Sequence, residues 1–324
     1  MNDFLFISHD TTLPEFNIAS EEYLLKQKGG YYVYIWRNEP AVIVGINQNT
    51  IREVNLKYTN DNKIKVVRRL TGGGAVYHDL NNICYTIIAP YKREENAFIK
   101  WTRPIIDFLR SLGINAEFSG RNDITIDGKK ISGNAQTVYK DRVMHHGTLL
   151  FDTSLNVLTD ALKENKLKIE SKGIKSVRAR VTNIKSYLNK DFTCEKFMKL
   201  LISYLKKSYK EYVFSQEDLE NINKLSHEKY SSYSWNVGES PKCTNTFTYK
   251  FNFGILTIDF DLIKGKIENP KITGDFFSIR PIEELEEKLC GINFTYESIK
   301  KALIDADKYI LNANGEEIAD RFYS

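Results

Sequence analysis

Two stretches of this 324-residue chain hold residues whose types and spacing could do chemistry. Val66 to Asp79 reads VVRRLTGGGAVYHD, an apolar lead followed by two arginines, three glycines and a second β-type run. Arg68 and Arg69 offer planar forks for phosphate or carboxylate, and Gly72 to Gly74 let backbone N–H groups turn toward an anion with no side chain in the way. Two familiar phosphate loops do not fit. A Walker A loop needs Lys and then Ser or Thr after its last glycine, whereas Gly74 is followed by Ala75. A dinucleotide fingerprint needs a third glycine where Tyr77 stands. The β-rich NNICYTIIAP that follows has the glycines joining two strands rather than opening a helix.

The second stretch is GRNDITIDGKKISGNAQ, Gly120 to Gln136. Asp127-Gly128 between two β-type runs predicts a two-residue hairpin turn. That turn pairs Ile126 with Lys129, Thr125 with Lys130, Ile124 with Ile131 and Asp123 with Ser132. Alternation then puts Ile124, Ile126 and Ile131 on one face and Asp123, Thr125, Lys130 and Ser132 on the other, with Asp123 and Lys130 diagonal neighbours. Asp123 supplies a hard oxygen for magnesium, and Lys130 a point charge where negative charge develops. A solvated hairpin face has the same pattern. The set of guanidinium forks, glycines, carboxylate and ammonium is what points to nucleotide-dependent activation of a carboxylate.

These residues need elements to position them. Apolar spacing predicts a helix over Phe16 to Lys28 closed by Gly29-Gly30, then strands at YYVYIW and AVIVGI around the turn from Asn38 to Pro40. A helix over Phe98 to Leu112 puts Phe98, Trp101, Ile105, Phe108, Leu109 and Leu112 on one face, with Pro104 early in it or kinking it. Cys194 to Lys210 is a further amphipathic helix, and Ser231 to Thr246 has the polar composition of a linker. FTYKFNFGILTIDFDLIKG alternates like a hairpin, and Ile282 to Leu289 and Tyr296 to Ile304 read as helices. A large domain over 1–245 and a small one over 246–324 suit this length.

Composition narrows the class. With 46 basic and 42 acidic residues the net charge of +4 is too weak to argue for nucleic acid. The longest apolar run, Ile83 to Pro90, is far short of the roughly 18 residues that span a bilayer. The acidic N-terminus lacks a targeting signal, so no membrane association and a cytoplasmic protein are expected. Cys84, Cys194, Cys243 and Cys290 lie far apart without a C-x-x-C pair, against a zinc site or a disulfide scaffold.

RRLTGGGAVYHD, then GRND with KKISGNAQ, then HHGTLLFD, then KGIKSVRARVTN, in that order and over the whole length, resembles the lipoate-protein ligase A family. WNVGESP and the β-rich tail resemble the accessory C-terminal domain of its longer members. The resemblance implies an α+β fold, a mixed sheet flanked by helices as in biotin ligases and class II synthetases. It also implies a two-step reaction: lipoate and ATP give lipoyl-AMP and pyrophosphate, and a lysine of a lipoyl-accepting domain then takes the acyl group. The acceptors would be 2-oxoacid dehydrogenase E2 subunits and the glycine-cleavage H protein; octanoate is the alternative acid. Carried over residue by residue, Arg69, Gly74, Ala75, Val76, Tyr77, Asn122, Asp123 and Lys130 would meet the nucleotide, and Asp123 the magnesium ion. Trp36, Arg37, Gly72, Gly73, His78, Lys130 and His146 would meet lipoate, with Lys130 as the catalytic residue. Core packing is a rival role for Trp36, and holding a loop a rival role for His146.

The alternative on the same fold is an octanoyl or lipoyl transferase that passes its acyl group through a cysteine thioester. No cysteine lies between Cys84 and Cys194, and Cys84 in ICYTII reads as core. A nucleic-acid module using KSVRARVTNIK is disfavoured because its basic residues lack interleaved aromatics. The Gly-Arg-rich signature of biotin ligases is not seen.

Overall fold

The structure, a computed structural model, describes residues 4–27, 29–48, 50–92, 97–162, 180–188, 191–236, 245–263, 266–293 and 295–323. Its strands are Phe4–Ser8 (β1), Tyr31–Arg37 (β2), Ala41–Val44 (β3), Lys65–Arg68 (β4), Val76–His78 (β5), Asn82–Pro90 (β6), Ala116–Ser119 (β7), Asp123–Ile126 (β8), Lys129–Tyr139 (β9), Arg142–Leu150 (β10), Lys210–Glu211 (β11), Asn245–Phe251 (β12), Gly254–Ile263 (β13) and Lys266–Gly274 (β14). Its helices include Pro14–Lys26 (α1), Ala97–Ser111 (α2), Cys194–Lys206 (α3), Gln216–Leu225 (α4), Glu283–Leu289 (α5), Tyr296–Leu303 (α6) and Gly315–Tyr323 (α7).

An eight-stranded sheet runs β11-β1-β2-β6-β10-β9-β8-β7, and a small sheet runs β4-β3-β5. Both are mixed: β1 runs parallel to β2 and β11, β3 parallel to β4, and the remaining pairs are antiparallel. Period-two alternation sorts the side chains into layers. One face of the large sheet, with Val33, Ile35, Ile83, Tyr85 and Ile87, packs against α2 and α3. The other face, with Tyr34, Trp36, Cys84 and Met144, packs against α1 and against Ala41, Ile43 and Val67 of the small sheet. Val42, Val44 and Tyr77 point to the far side of the small sheet, into a core with Val54 and Ile64. Residues from Phe251 to Phe322 bury one another around β12-β13-β14, α5, α6 and α7 in a core of their own.

The helix predicted from Phe16 begins at Pro14, whose fixed φ and missing N–H suit a first helical position. The predicted hairpin forms, with Asp127 at φ 50° and Gly128 at φ 73°. Its register holds only for the first two pairs, because Ile131 is a bulge residue and beyond it Ile124 faces Ser132 and Asp123 faces Gly133. A bulge keeps Ile124, Ile126 and Ile131 all buried while letting the strand bend, which alternation alone cannot anticipate.

The predicted linker begins later than its composition suggests. Tyr233–Asn236 is a helical turn docked on β4, where Trp235 Nε1 donates to the Arg68 carbonyl at 2.9 Å and Asn236 Oδ1 accepts from the Arg68 amide at 2.9 Å. The rest of that stretch up to Thr244, with Cys243, lies outside the described residues, as do Lys172 to Ala179 of the basic motif. Among the described residues no helix is long and apolar enough to cross a membrane.

Candidate active site

A cavity of about 190 Å³ opens between the two sheets. Its inner end is made by Ile18 of α1, Trp36 of β2, Ile43 of β3, His78 of β5 and Cys84 of β6. Its outer end is made by Asn122, Lys130 and Gly133 of the hairpin region and by Gly73, Gly74, Ala75 and Val76. His146, Gly147 and Thr148 of β10 join the two ends, and Phe277 closes one side. An apolar pouch with an ammonium at one end suits an acyl chain with a carboxylate.

The two arginines do not face this cavity as open forks. Arg69 is 5% exposed and its guanidinium donates to Thr71 Oγ1 at 2.9 Å, to the Ile43 carbonyl at 2.9 Å and to the Gly72 and Gly74 carbonyls at 2.7 and 2.9 Å. Burial pulls its pKa down to about 10, with the Glu21 charge opposing, so it stays a cation. Arg68 donates to the Gln48 carbonyl and Thr50 Oγ1 at 2.6 Å each and to the Trp235 carbonyl at 3.0 Å. Both side chains hold loops together, because a guanidinium without water must give its hydrogens to whatever acceptors surround it.

The glycines are needed for close packing of backbone against backbone. A Cβ on Gly45 would sit 2.2 Å from the Gly73 carbonyl oxygen, and one on Gly72 2.2 Å from the Phe276 carbonyl oxygen. Gly73 has φ 91°, in the region that favours glycine, and its N–H donates to that Phe276 oxygen at 3.0 Å. Gly74 alone of the three faces open space.

Across the cavity Lys130 Nζ lies 2.7 Å from Asp123 Oδ1, both side chains about one-third exposed. Gly133 makes the room, since a Cβ there would stand 3.0 Å from that Nζ. Asn122 is tied to β9 by mutual bonds with Asn134, Nδ2 of each donating to the carbonyl of the other at 2.6 and 3.0 Å. The Lys130 carbonyl accepts from the Thr182 amide at 2.9 Å, which brings the described end of the KGIKSVRARVTN motif onto the catalytic candidate.

Beneath the cavity lies a buried polar chain that the sequence did not announce. Glu21, 1% exposed, accepts on Oε1 from Thr86 Oγ1 at 2.6 Å and from His146 Nδ1 at 2.8 Å. His146 Nε2 meets Thr71 Oγ1 at 2.8 Å, and Trp36 Nε1 donates to Thr86 Oγ1 at 3.0 Å. Nearby, His78 is bound to Asn38 at 3.1 Å and its Nδ1 is 3.6 Å from Cys84 Sγ. Burial and the Arg69 charge push His78 down to about 3, while burial and the Glu21 charge push the Cys84 thiol well up.

Of the residues expected at the site, Trp36, Arg69, Gly73, Gly74, Ala75, Val76, His78, Asn122, Lys130 and His146 line the cavity. Arg37, Gly72, Tyr77 and Asp123 do not. Alternation turns Arg37 outward to Glu195 at 3.0 Å and Tyr77 into the far core; Gly72 lies under Phe276, and Asp123 reaches the site through its ion pair with Lys130. Sequence reasoning missed Glu21, Thr71, Asn134 and Phe277; Cys84, read as core, is in the core and also lines the cavity. The one available signal was in α1, where Asn17, Ser20, Glu21 and Glu22 interrupt the apolar pattern and are all buried. Among the described residues no three or more His, Cys, Asp or Glu gather to hold a metal ion. Asp123 is a single carboxylate already facing an ammonium, which fits a magnesium ion arriving on phosphate oxygens better than a resident one.

Comparison with known proteins agrees with this geometry. Residues 13–206 match the family model of the lipoyl protein ligase A/B catalytic domain, and residues 240–322 match that of the bacterial lipoate protein ligase C-terminus. The chain is 44% identical over 311 residues to lipoate–protein ligase 1 of Staphylococcus aureus, covering 94% of each. Among solved structures it resembles P. falciparum LipL1 in complex with lipoate, with TM-score 0.82 and 27% identity over 99% of this chain and 98% of that one. It also resembles a lipoate-protein ligase A bound with ATP, with TM-score 0.62 and 25% identity over 73% of this chain and 98% of that one.

Proposed function

The chain belongs to the lipoate-protein ligase family, and from that premise we propose that the cavity between its two sheets is where lipoate is joined to AMP before transfer. The protein is an enzyme that activates lipoate with ATP and passes the lipoyl group to lipoyl-accepting proteins. The observation that carries the site assignment is Lys130, whose ammonium sits at the polar mouth of a pouch ending on Trp36, Ile18 and Ile43. The acyl tail runs inward past His146 and His78, and the carboxylate stays outside beside Lys130.

Carboxylate oxygen is a poor leaving group and AMP a good one. The task is therefore to bring two anions together, which is positional and electrostatic work. Lys130 meets the carboxylate and the α-phosphate, Asn122 and the backbone from Gly74 to Val76 take the nucleotide, and Arg69 acts by holding the glycine loop in shape. Asp123 would be the residue to hold a magnesium ion, which would offset the charge of the ATP phosphates. Octanoate, with the same carboxylate and an apolar tail, is a second acid substrate. A catalytic domain over 1–245 and an accessory domain over 246–324 fit the separate cores. Free thiols at Cys84, Cys194 and Cys290 support a cytoplasmic location.

The thioester alternative draws on Cys84, which lines the cavity next to His78. Against it, the thiol is held protonated and an imidazole pushed to about 3 is a weak base for removing the proton. The pair therefore stays neutral. The test is to incubate the protein with ATP, magnesium and lipoate, with and without a lipoyl domain, and weigh the products. Lipoyl-AMP and an ATP-dependent modified domain are expected. Acyl transfer without ATP, abolished by a cysteine-blocking reagent, would overturn the ligase chemistry.

A further inference from the structure

We propose that Glu21 is a positioning residue for acyl activation, one carboxylate oxygen on α1 that fixes both walls of the cavity, the indole of Trp36 and the glycine loop. The assignment rests on the ligase reading and adds a residue that touches neither substrate.

The directions of the hydrogen bonds carry it. Arg69 Nε can only donate, so Thr71 Oγ1 accepts from it. The Thr71 hydroxyl hydrogen then goes to His146 Nε2, and the other ring nitrogen, Nδ1, carries hydrogen and donates to Glu21. A one-way chain thus runs from the Arg69 guanidinium through Thr71 and His146 to the Glu21 carboxylate, a cation at one end and an anion at the other. At its cationic end Arg69 grips the Gly72 and Gly74 carbonyls, so a shift anywhere in the chain moves the loop. A second chain ends on the same Glu21 oxygen, from Trp36 Nε1 through Thr86 Oγ1. Trp36 lines the inner end of the cavity, Gly74 the outer end and His146 the wall that joins them.

A carboxylate buried this deeply is costly unless its charge is matched, and Arg69 is the matching cation. An apolar residue would pack α1 more cheaply. It would leave His146 free to turn and Thr71 without a fixed hydrogen direction.

The test is the single-turnover rate of acyl-adenylate formation from lipoate and ATP in the full-length protein, for Glu21→Gln, Thr71→Val and Thr71→Ser, with thermal unfolding alongside. Glu21→Gln and Thr71→Val should each lower the rate constant by about tenfold, with KM for ATP nearly unchanged, because charge-assisted bonds are lost from the scaffold rather than from the nucleotide. Thr71→Ser, which keeps the hydroxyl, should recover most of the loss. The Glu21→Gln/Thr71→Val double variant should be little worse than either single one, since both cut one chain. Rates within twofold of wild type, Thr71→Ser no better than Thr71→Val, or losses that multiply in the double variant would each overturn the assignment. A wild type that forms no acyl-adenylate at all would sink the ligase reading and this assignment together.

Discussion

Lys129 and Lys130 share a side chain and differ in what surrounds them. Lys129 is exposed, whereas Lys130 Nζ is held 2.7 Å from Asp123 at the cavity mouth. Lys130→Ala should slow adenylate formation on the order of a hundredfold, roughly 3 kcal/mol of transition-state stabilisation, while Lys129→Ala should change it less than about twofold. Single-turnover measurement of lipoyl-AMP separates them, and the reverse ranking would refute the site. This contact was legible in the sequence because a two-residue turn dictates which side chains share a face near it. The arginines were not legible in the same way. Whether a guanidinium meets a ligand or a carbonyl depends on acceptors such as Ile43, Gly72 and Gly74 oxygens, and backbone carbonyls leave no mark on a sequence.

Whereas the family resemblance places Arg37 and Tyr77 at the site as well, alternation in the strands separates what faces the cavity from what does not, Trp36 from Arg37 and Val76 and His78 from Tyr77. It failed at Ile131, since a bulge needs no particular residue and shows only in the pairing. The bulge brings Gly133 opposite Asp123, where the absent side chain leaves space for the Lys130 head. Gly133→Ala should therefore crowd a flexible ammonium rather than the backbone. Adenylate formation should drop roughly tenfold with urea unfolding nearly unchanged, because misplacement of a catalytic group costs rate more than stability. A matching loss of stability would mean that the glycine serves the strand instead. Helix α1 was found from its apolar spacing, yet its function lies in the polar positions that break that spacing, Glu21 above all.

In the molecule as a whole, buried neutral histidines tie stability to pH. Burial holds His78 and His145 at about 3, against an ordinary value of 6.5. Below pH 6.5 the unfolded chain takes up protons that the folded chain refuses, so stability is fullest above 6.5 and falls as pH drops toward 3. Urea midpoints should decline from pH 7 to pH 5, and His145→Gln should flatten that decline; a pH-independent midpoint would contradict the burial. At the same scale, Gly72 lies under the Phe276 turn that follows β14. Gly72→Ala should push the C-terminal part away and speed hydrogen exchange of the Gly73 amide, which donates to the Phe276 carbonyl, whereas unchanged exchange would show that the contact does not hold the two parts. That contact also sets a rule of mass action. Phe277 completes a cavity whose other walls come from residues 18 to 148, and because one chain carries both parts the contact forms within the molecule. Cut within the connection, the protein would become a two-component system whose rate saturates with the amount of the smaller fragment supplied, and the midpoint of that titration would read out the strength of the Phe276 contact directly.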